Sequence, residues 1–333
     1  MAYTDIDKPS DYFNTLLYTG NGGTQSITGV GFTQDFTWIK SRSTAQNHYA
    51  FDTVRGAQKQ LYPSTNSSED TGQSNGLNAF TSNGFNLGTE VGVNGNGATY
   101  ASWNWKKVAG VFDIQTYAGN NSGSRTIAHN LGVVPSLIIV KNRTNNADWF
   151  GGSTTPGVSF NWATDYFRLN ENAAKGTDSG GNLFGAVPTD SVFTPGTNND
   201  MNGSNNNYVA YLFGNKQGVS KVGSYVGNGN ADGTFVYLGF KPAWVMVKRS
   251  DGGTENWQIN DNKRKTFNVN STSLFANLNN VESTDGMYID MLSNGFKARE
   301  TGGGTNGSGS SYLYMAFAEN PFVTSTGIPA AAR

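Results

Sequence analysis

The 333-residue chain contains no cysteine, and only 14% of its residues are charged. Without cysteine the fold uses neither disulfide bonds nor thiolate metal sites. The 23 basic side chains nearly cancel the 24 acidic ones, which argues against the basic surface that nucleic acid phosphates or anionic membranes require. No apolar run approaches the roughly 20 residues that span a bilayer. The sequence therefore favours neither nucleic acid as a partner nor insertion into a membrane.

Glycine and aromatic residues are abundant where charge is scarce. The chain has 43 glycines, and 13% of its residues are aromatic. Aromatic side chains require burial or a contact surface, which argues against a disordered low-complexity chain. Runs of aromatic and β-branched residues between glycine-rich turns are typical of strands. These features predict an all-β fold with very little helix beyond one turn at residues 10–15, capped by Ser10.

Three segments of the chain share the same anchors in the same order. Each has a Tyr-x-Gly-Asn turn, then a turn glycine, then an apolar strand closed by a lysine, and finally an aromatic strand. The tyrosines are Tyr18, Tyr117 and Tyr225, the glycines are Gly31, Gly132 and Gly239, and the lysines are Lys40, Lys141 and Lys248. This order predicts a tandem repeat of about 100 residues.

That period exceeds the repeat length of a solenoid and matches a self-contained sandwich of seven or so short strands. We therefore divide the chain into unit 1 (11–109), unit 2 (110–217) and unit 3 (218–323), with an N-terminal arm (1–10) and a C-terminal arm (324–333). Each unit is predicted to be a jelly-roll-like β-sandwich, and unit 2 is the divergent copy. The connections between units are short, so we expect the units to pack against one another.

Several of these motifs resemble a family of marine bacteriophage proteins. The resemblance covers nearly the whole chain and is carried by residues 8–22, 36–42, 51–56, 239–249 and 315–322. Members are virion structural proteins, often encoded near tail genes. The resemblance implies a component of a phage particle, made in the host cytoplasm, and it brings no catalytic residues.

Candidates for chemistry are few. His48 and His129 are the only histidines, and no nucleophile-elbow pattern accompanies either. The acidic residues, among them Asp52 and Asp285, are thinly spread, and nothing pairs two of them as a glycosidase requires. The loop at residues 198–200 offers oxygens that suit Ca²⁺ but lacks the alternation of an EF-hand. We predict no catalytic residue, no cofactor and no metal ligand, with calcium left open.

Three tryptophans and the three closing lysines are the remaining candidates. The lysines are interpreted as solvated strand ends that protect a sheet edge. Trp149 and Trp162 in unit 2 and Trp257 in unit 3 find no counterpart in the other units, so the fold is expected to form without them. Because aromatic faces stack on sugar rings, one hypothesis makes them glycan contacts. The alternative is local packing or a subunit interface.

Two functions fit these features. The first is a tail-associated fibre, spike or adhesin that contacts other virion proteins and host surface polysaccharide, favoured as a homotrimer because threefold assembly raises avidity. The second is a capsid decoration or other particle-stabilising protein, which agrees with the lack of a coiled-coil shaft. A polysaccharide-degrading tail enzyme is the least favoured third.

Overall fold

A computed structural model describes residues 3–157, 160–284 and 288–329. The prediction of an all-β fold is confirmed. In the described ranges the only helices longer than a single 3-10 turn are α1 (Val91–Asn94) and α2 (Asn199–Asn202).

The strands are numbered in chain order. Unit 1 holds β1 (Phe13–Thr19), β2 (Gln25–Thr28), β3 (Phe36–Ser41), β4 (Tyr49–Asp52), β5 (Leu77–Thr81), β6 (Gly84–Leu87) and β7 (Thr99–Trp105). Unit 2 holds β8 (Phe112–Ala118), β9 (Ile127–Ala128), β10 (Leu137–Asn142), β11 (Trp149–Ser153), β12 (Asp165–Arg168), β13 (Gly176–Thr177), β14 (Val192–Phe193) and β15 (Asn207–Phe213). Unit 3 holds β16 (Ser220–Val226), β17 (Phe235–Tyr237), β18 (Phe240–Arg249), β19 (Gln258–Asp261), β20 (Leu274–Phe275), β21 (Ile289–Leu292), β22 (Gly295–Ala298) and β23 (Ser311–Pro321).

Each unit contributes one large antiparallel sheet in which its first strand lies beside its last. The order is β1-β7-β3-β4 in unit 1, β8-β15-β10-β11-β12-β13 in unit 2 and β16-β23-β18-β19-β20 in unit 3. Each unit also has a smaller sheet, namely β2-β6-β5, β9-β14 and β17-β22-β21. Buried apolar side chains between the large and the small sheet give each unit a core of its own.

Alternation along the closing strands directs side chains to two different cores. In β7, Tyr100 lies in the core of unit 1, whereas Trp103 and Trp105 point to the opposite face. There they join large-sheet residues of the other units, including Tyr211 and Trp244, in one central core. The three large sheets therefore enclose a shared core, which explains why their inner strands are buried on both faces.

A buried asparagine fixes the opening turn of every unit. In unit 1 the Asn94 amide donates to the Gly88 carbonyl, and its side-chain oxygen accepts from the N–H of Asn21. Asn202 and Asn306 make the equivalent bonds in units 2 and 3. The opening turn of each unit is thus fixed by an asparagine of the same unit, whose side-chain amide both donates and accepts a hydrogen bond.

The repeated tyrosines and glycines of the opening segment are structural. Each tyrosine stacks on a tyrosine of the closing strand. The pairs are Tyr18–Tyr100, Tyr117–Tyr208 and Tyr225–Tyr312, with ring centroids 5.1, 5.0 and 4.9 Å apart. The glycines Gly31, Gly132 and Gly239 have φ values of 91°, 70° and 79°. Only glycine adopts these left-handed conformations without strain, which accounts for its repetition.

The described parts of the two arms, residues 3–10 and 324–329, contact each other. The hydroxyl of Thr4 donates to the carbonyl of Gln217, the last residue of unit 2. Asp7 accepts hydrogen bonds from both the N–H and the hydroxyl of Ser325. Residues 1–2 and 330–333 of the arms lie outside the described residues.

The single helical turn predicted within residues 10–15 is present but earlier, as a 3-10 turn at Pro9–Asp11. The predicted cap by Ser10 is wrong, because no side chain caps this turn. Strand β1 already begins at Phe13, because that residue starts an alternation in which Phe13 and Thr15 are buried and Tyr12 and Asn14 are only partly so. Packing against the central core therefore prevails over the local capping signal.

Candidate functional site

The three closing lysines lie at the contacts between units, and the prediction that they are solvated strand ends is wrong. All three are fully buried. Each ammonium donates to one backbone carbonyl of its own unit and to one of a neighbouring unit. The neighbouring acceptors are Asn279 for Lys40 (3.3 Å), Asn66 for Lys141 (3.1 Å) and Asn172 for Lys248 (2.7 Å).

These bonds run from unit 1 to unit 3, from unit 2 to unit 1 and from unit 3 to unit 2, so they close a cycle. Burial deprives each ammonium of hydration and lowers its pKa from 10.5. The pKa falls to about 7 for Lys40 and to about 8 for Lys141 and Lys248. At Lys40 the like charge of Arg264 adds to the effect of burial.

A second repeated position crosses the same three contacts. Trp149 pairs with the lysine of β10, and His48 and Trp257 hold the corresponding places just before β4 and β19. The indole N–H of Trp149 donates to Tyr62 of unit 1 at 3.0 Å, and that of Trp257 donates to Arg168 of unit 2 at 2.8 Å. Each ring is therefore anchored to a backbone carbonyl of the neighbouring unit.

His48 performs the same task in unit 1. Its Nδ1 accepts from the indole N–H of Trp38 at 2.8 Å, so Nε2 carries the proton and faces the Phe275 carbonyl of unit 3 at 3.0 Å. Burial lowers the pKa of His48, and the neighbouring Lys40 charge lowers it further. The ring is a neutral, fully engaged structural group.

The hypothesis that Trp149 and Trp257 are unshared glycan contacts is wrong. They are each other's counterparts, and only 2% and 3% of their surfaces are exposed. The signal was present in the spacing: His48 and Trp149 follow a closing lysine by eight residues (40 to 48 and 141 to 149), and Trp257 follows by nine (248 to 257). The histidine in unit 1 hid the equivalence.

Buried charges link unit 1 to unit 2. Arg55 pairs with Asp52 (Nε–Oδ2 2.5 Å) and with Glu69 (Nη1–Oε2 2.8 Å). From unit 2, Arg143 donates to Glu69, and the Tyr211 hydroxyl donates to Asp52 at 2.8 Å. Burial opposes the charge of Arg55, but its acidic partners outweigh burial and raise its pKa. The two arginines likewise outweigh burial at Glu69 and lower its pKa.

The same network links unit 3 to unit 1. Arg264 pairs with Asp261 at 2.5 Å and with Glu282 at 3.3 Å. From unit 1, Arg42 pairs with Glu282 at 2.9 Å, and the Trp103 indole donates to Asp261 at 3.0 Å. Every member has its counterpart in the contact between units 1 and 2.

The contact of unit 2 with unit 3 lacks this network. Ser153, Pro156 and Lys175 occupy the places of the aspartate, the arginine and the glutamate, and Met315 stands where the other contacts have Tyr211 or Trp103. The backbone bond persists, because the N–H of Lys175 donates across the contact, as the glutamate N–H groups do. The charged side chains and the aromatic donor to the aspartate have been replaced, whereas the backbone contact is kept.

Trp162, the third candidate, is only 5% exposed. Its indole N–H donates to the Ala186 carbonyl at 3.0 Å, and its ring packs on Phe184 with centroids 4.7 Å apart. It borders an uncharged cleft of about 640 Å³ in unit 2. Because neighbouring rings cover it, Trp162 presents no face for a sugar to stack on, and its assignment as a glycan contact is wrong.

The other chemical candidates are engaged in structure. His129 accepts from the N–H of Leu131, and burial lowers its pKa. The side chain of Asn198 caps α2 by accepting from the N–H of Asp200, which accounts for the loop considered for calcium. The described ranges contain no group of three or more His, Cys, Asp or Glu side chains placed to hold a metal, and no helix fit to span a membrane. Asp285 lies outside the described residues.

Three exposed aromatic side chains were missed by the sequence analysis. In the described part of the chain, the exposed aromatic residues are Phe235, Tyr237 and Phe267, at 44%, 49% and 75% exposure, and all lie in unit 3. The signal was the alternation in β17, where two aromatics flank a buried valine. The corresponding strand β2 has Ser26 and Thr28 there.

Comparison with known proteins gives one match. The family model described as "Domain of unknown function (DUF7483)" matches residues 8–321. No curated protein and no solved structure matches the chain. The matched range includes nearly all of units 1, 2 and 3.

Proposed function

The chain belongs to the DUF7483 family, and we propose that it is a non-enzymatic structural component of a bacteriophage particle, attached to the tail. The closed cycle of three units around one core carries this proposal. Its buried histidine, lysines and carboxylates hold units together and are not gathered around a substrate. A rigid arrangement of three units around one core suits attachment to a particle and presentation of surface loops more than catalysis.

In this role the protein would bind other virion proteins through one part of its surface and the host surface through another. The cycle of lysine and ring N–H bonds fixes the three units relative to one another. Loops on different units would then be presented in a constant arrangement. Such preorganisation reduces the entropy lost when a partner binds.

We infer that the protein is a monomer whose three units take the place of the three subunits of a trimer, since they already surround a common core. The predicted homotrimer is the alternative. Light scattering after size exclusion separates the two, because the chain mass is 35.6 kDa. A species of about three times that mass would contradict the single-chain interpretation.

The proposed location is tested by counting copies in purified particles and imaging them with an antibody. A tail protein is expected in a few copies at one end of the particle. Absence of the protein from the particle would contradict the proposal altogether.

Particle decoration is the second candidate, and the scarcity of helix in the described ranges favours it. The two α-helices there have only four residues each, so these ranges offer no coiled coil to extend the protein from the particle. Tens to hundreds of copies over the shell would support decoration and exclude the tail location.

A further inference from the structure

We propose that the exposed face of β17 and the pocket beside it bind an acidic polysaccharide. Phe235 and Tyr237 are 44% and 49% exposed, while Val236 between them is buried. Alternate residues of a strand point to the same face about 6.6 Å apart, so the two rings form what we call the aromatic platform. Aromatic faces of this kind stack on pyranose rings.

A pocket of about 270 Å³ adjoins the platform and supplies a cation. Tyr3, Lys216, Lys221 and Tyr237 are among its lining residues. The ammonium of Lys221 lies 5.6 Å from the centroid of the Tyr237 ring and donates to the carbonyl of the same residue at 2.8 Å. The pocket therefore places a positive charge next to a stacking surface.

Lys221 differs from its basic neighbours in lacking an acidic partner. Lys216 pairs with Asp5 at 2.8 Å, and Lys297 pairs with Asp232 at 2.5 Å. Among the described residues no carboxylate lies within ion-pair distance of Lys221. A carboxylate or sulfate on a bound sugar would supply that partner, and for this reason we commit to an acidic polymer.

The other units lack these features although their strands correspond. Thr28 faces Gly84 in unit 1 as Tyr237 faces Gly295 in unit 3. Asn14 on β1 holds the place of Lys221 on β16. Unit 1 folds without an aromatic or a basic side chain at these two places. Folding therefore does not explain why unit 3 has Tyr237 and Lys221 there.

This inference goes beyond the proposed function and does not require it. For a tail protein the site would be its contact with the host surface. Binding of purified protein to a sugar polymer is nevertheless independent of where the protein sits in a particle. Failure of the binding experiment and failure of the copy-number experiment can therefore be distinguished.

The test measures binding of the full chain by isothermal titration to polygalacturonate, alginate, hyaluronate and polysialic acid, with neutral dextran as the reference. We expect at least one acidic polymer to bind at least tenfold more tightly than dextran, with affinity falling as salt increases. No preference for any of the four over dextran would overturn the proposal.

Variants that copy unit 1 locate the site. Phe235→Ser, Tyr237→Thr and Lys221→Asn should each weaken binding about tenfold or more, and Lys221→Asn should also remove most of its salt dependence. Phe267→Ser is the matched control, because Phe267 is 75% exposed and its neighbour Asn268 bonds to β21, the opposite edge strand of the same small sheet. Equal affinity in all four variants would overturn the location. Loss of a dimer in the platform variants would instead assign β17 to pairing between copies of the chain and would also overturn it.

Discussion

The contacts that unit 1 makes with its two neighbours differ from the contact between units 2 and 3. Each contact of unit 1 joins a buried aspartate and arginine to a partly buried glutamate and a second arginine in one network. Between units 2 and 3, no ion pair among the described residues crosses. The lysine and tryptophan bonds are nevertheless the same as elsewhere. The backbone geometry of a contact therefore does not require the charges.

The difference shows that such a network is replaced as a set. An arginine without its carboxylates, or a carboxylate without its arginine, is a buried unpaired charge and costs several kcal/mol. In the contact between units 2 and 3, which we call the neutral contact, Ser153, Pro156 and Lys175 of unit 2 and Ser250 and Met315 of unit 3 all differ from their counterparts. Comparison of three contacts within one chain thus identifies residues that depend on one another.

The largest effect should come from removing the centre of a charged network. Arg55→Ala leaves Asp52 buried without its arginine and leaves Glu69 with Arg143 alone, and we expect a loss of about 3–5 kcal/mol in the free energy of unfolding. Pro156→Ala at the corresponding place should change it by less than about 1 kcal/mol. Urea denaturation measures both. Equal losses would mean that the two kinds of contact do not differ energetically.

The next effect is a dependence on pH that all three contacts share. The folded pKa values of the lysines are about 7 to 8, below the unfolded value of 10.5. Between these limits the unfolded chain binds more protons, so stability should rise with pH, by roughly 2–3 kcal/mol for each lysine between pH 7 and pH 9.5. Above about pH 10 the tyrosines with raised pKa values, such as Tyr117, should reverse the trend.

Unfolding midpoints in urea across this range test the prediction. Lys141→Met in a charged contact and Lys248→Met in the neutral one should each remove part of the rise. If only Lys248→Met flattens the curve, the charged networks control the titration of their lysines. The three contacts would then differ in their pH dependence although their backbone geometry is the same.

Rebuilding the network in the neutral contact should give a smaller change. Ser153→Asp alone buries a carboxylate next to Met315, and we expect a loss of about 2 kcal/mol. Adding Pro156→Arg, Lys175→Glu, Ser250→Arg and Met315→Tyr should recover part of it, measured by thermal and urea unfolding; Ser250 holds the place of Arg42 and Arg143, and Lys175→Glu also removes the ion pair of Asp165. A fivefold variant no more stable than the single one would show that the replacement is not confined to these positions.

The smallest effect concerns the ring that crosses each contact. His48→Trp should cost about 1–2 kcal/mol, because the larger ring crowds Trp38 and leaves its indole N–H without an acceptor. Units 2 and 3 have Ile139 and Met246 in place of Trp38. The double variant with Trp38→Ile should therefore lose less than the single one in the same urea experiment.

The sequence predicted the strands well because their determinants are local. Alternation, turn glycines and the order of anchors depend on neighbours in the chain, and the all-β fold follows from them. The burial of Lys40 does not follow from local sequence, because the sequence of a strand does not reveal whether a second sheet covers its end. The same limit applies to Trp149, whose hydrogen-bond acceptor, Tyr62, lies in another unit.

The candidate sites failed for a related reason. Residue type alone does not reveal that Trp149 and Trp257 are equivalent, because unit 1 has His48 at the same place. Alternation in β17 predicts that Phe235 and Tyr237 share a face. The aromatic platform is therefore visible in the sequence only when the units are aligned strand by strand.

The shared core also has a consequence for co-translational folding. When unit 1 has emerged, its large sheet still lacks the two sheets that cover Trp103 and Trp105. Translation adds roughly 5–20 residues per second, so the remaining units arrive over roughly 10–40 seconds. During that interval the nascent chain carries an uncovered aromatic surface, of the kind that makes incompletely folded chains prone to aggregation.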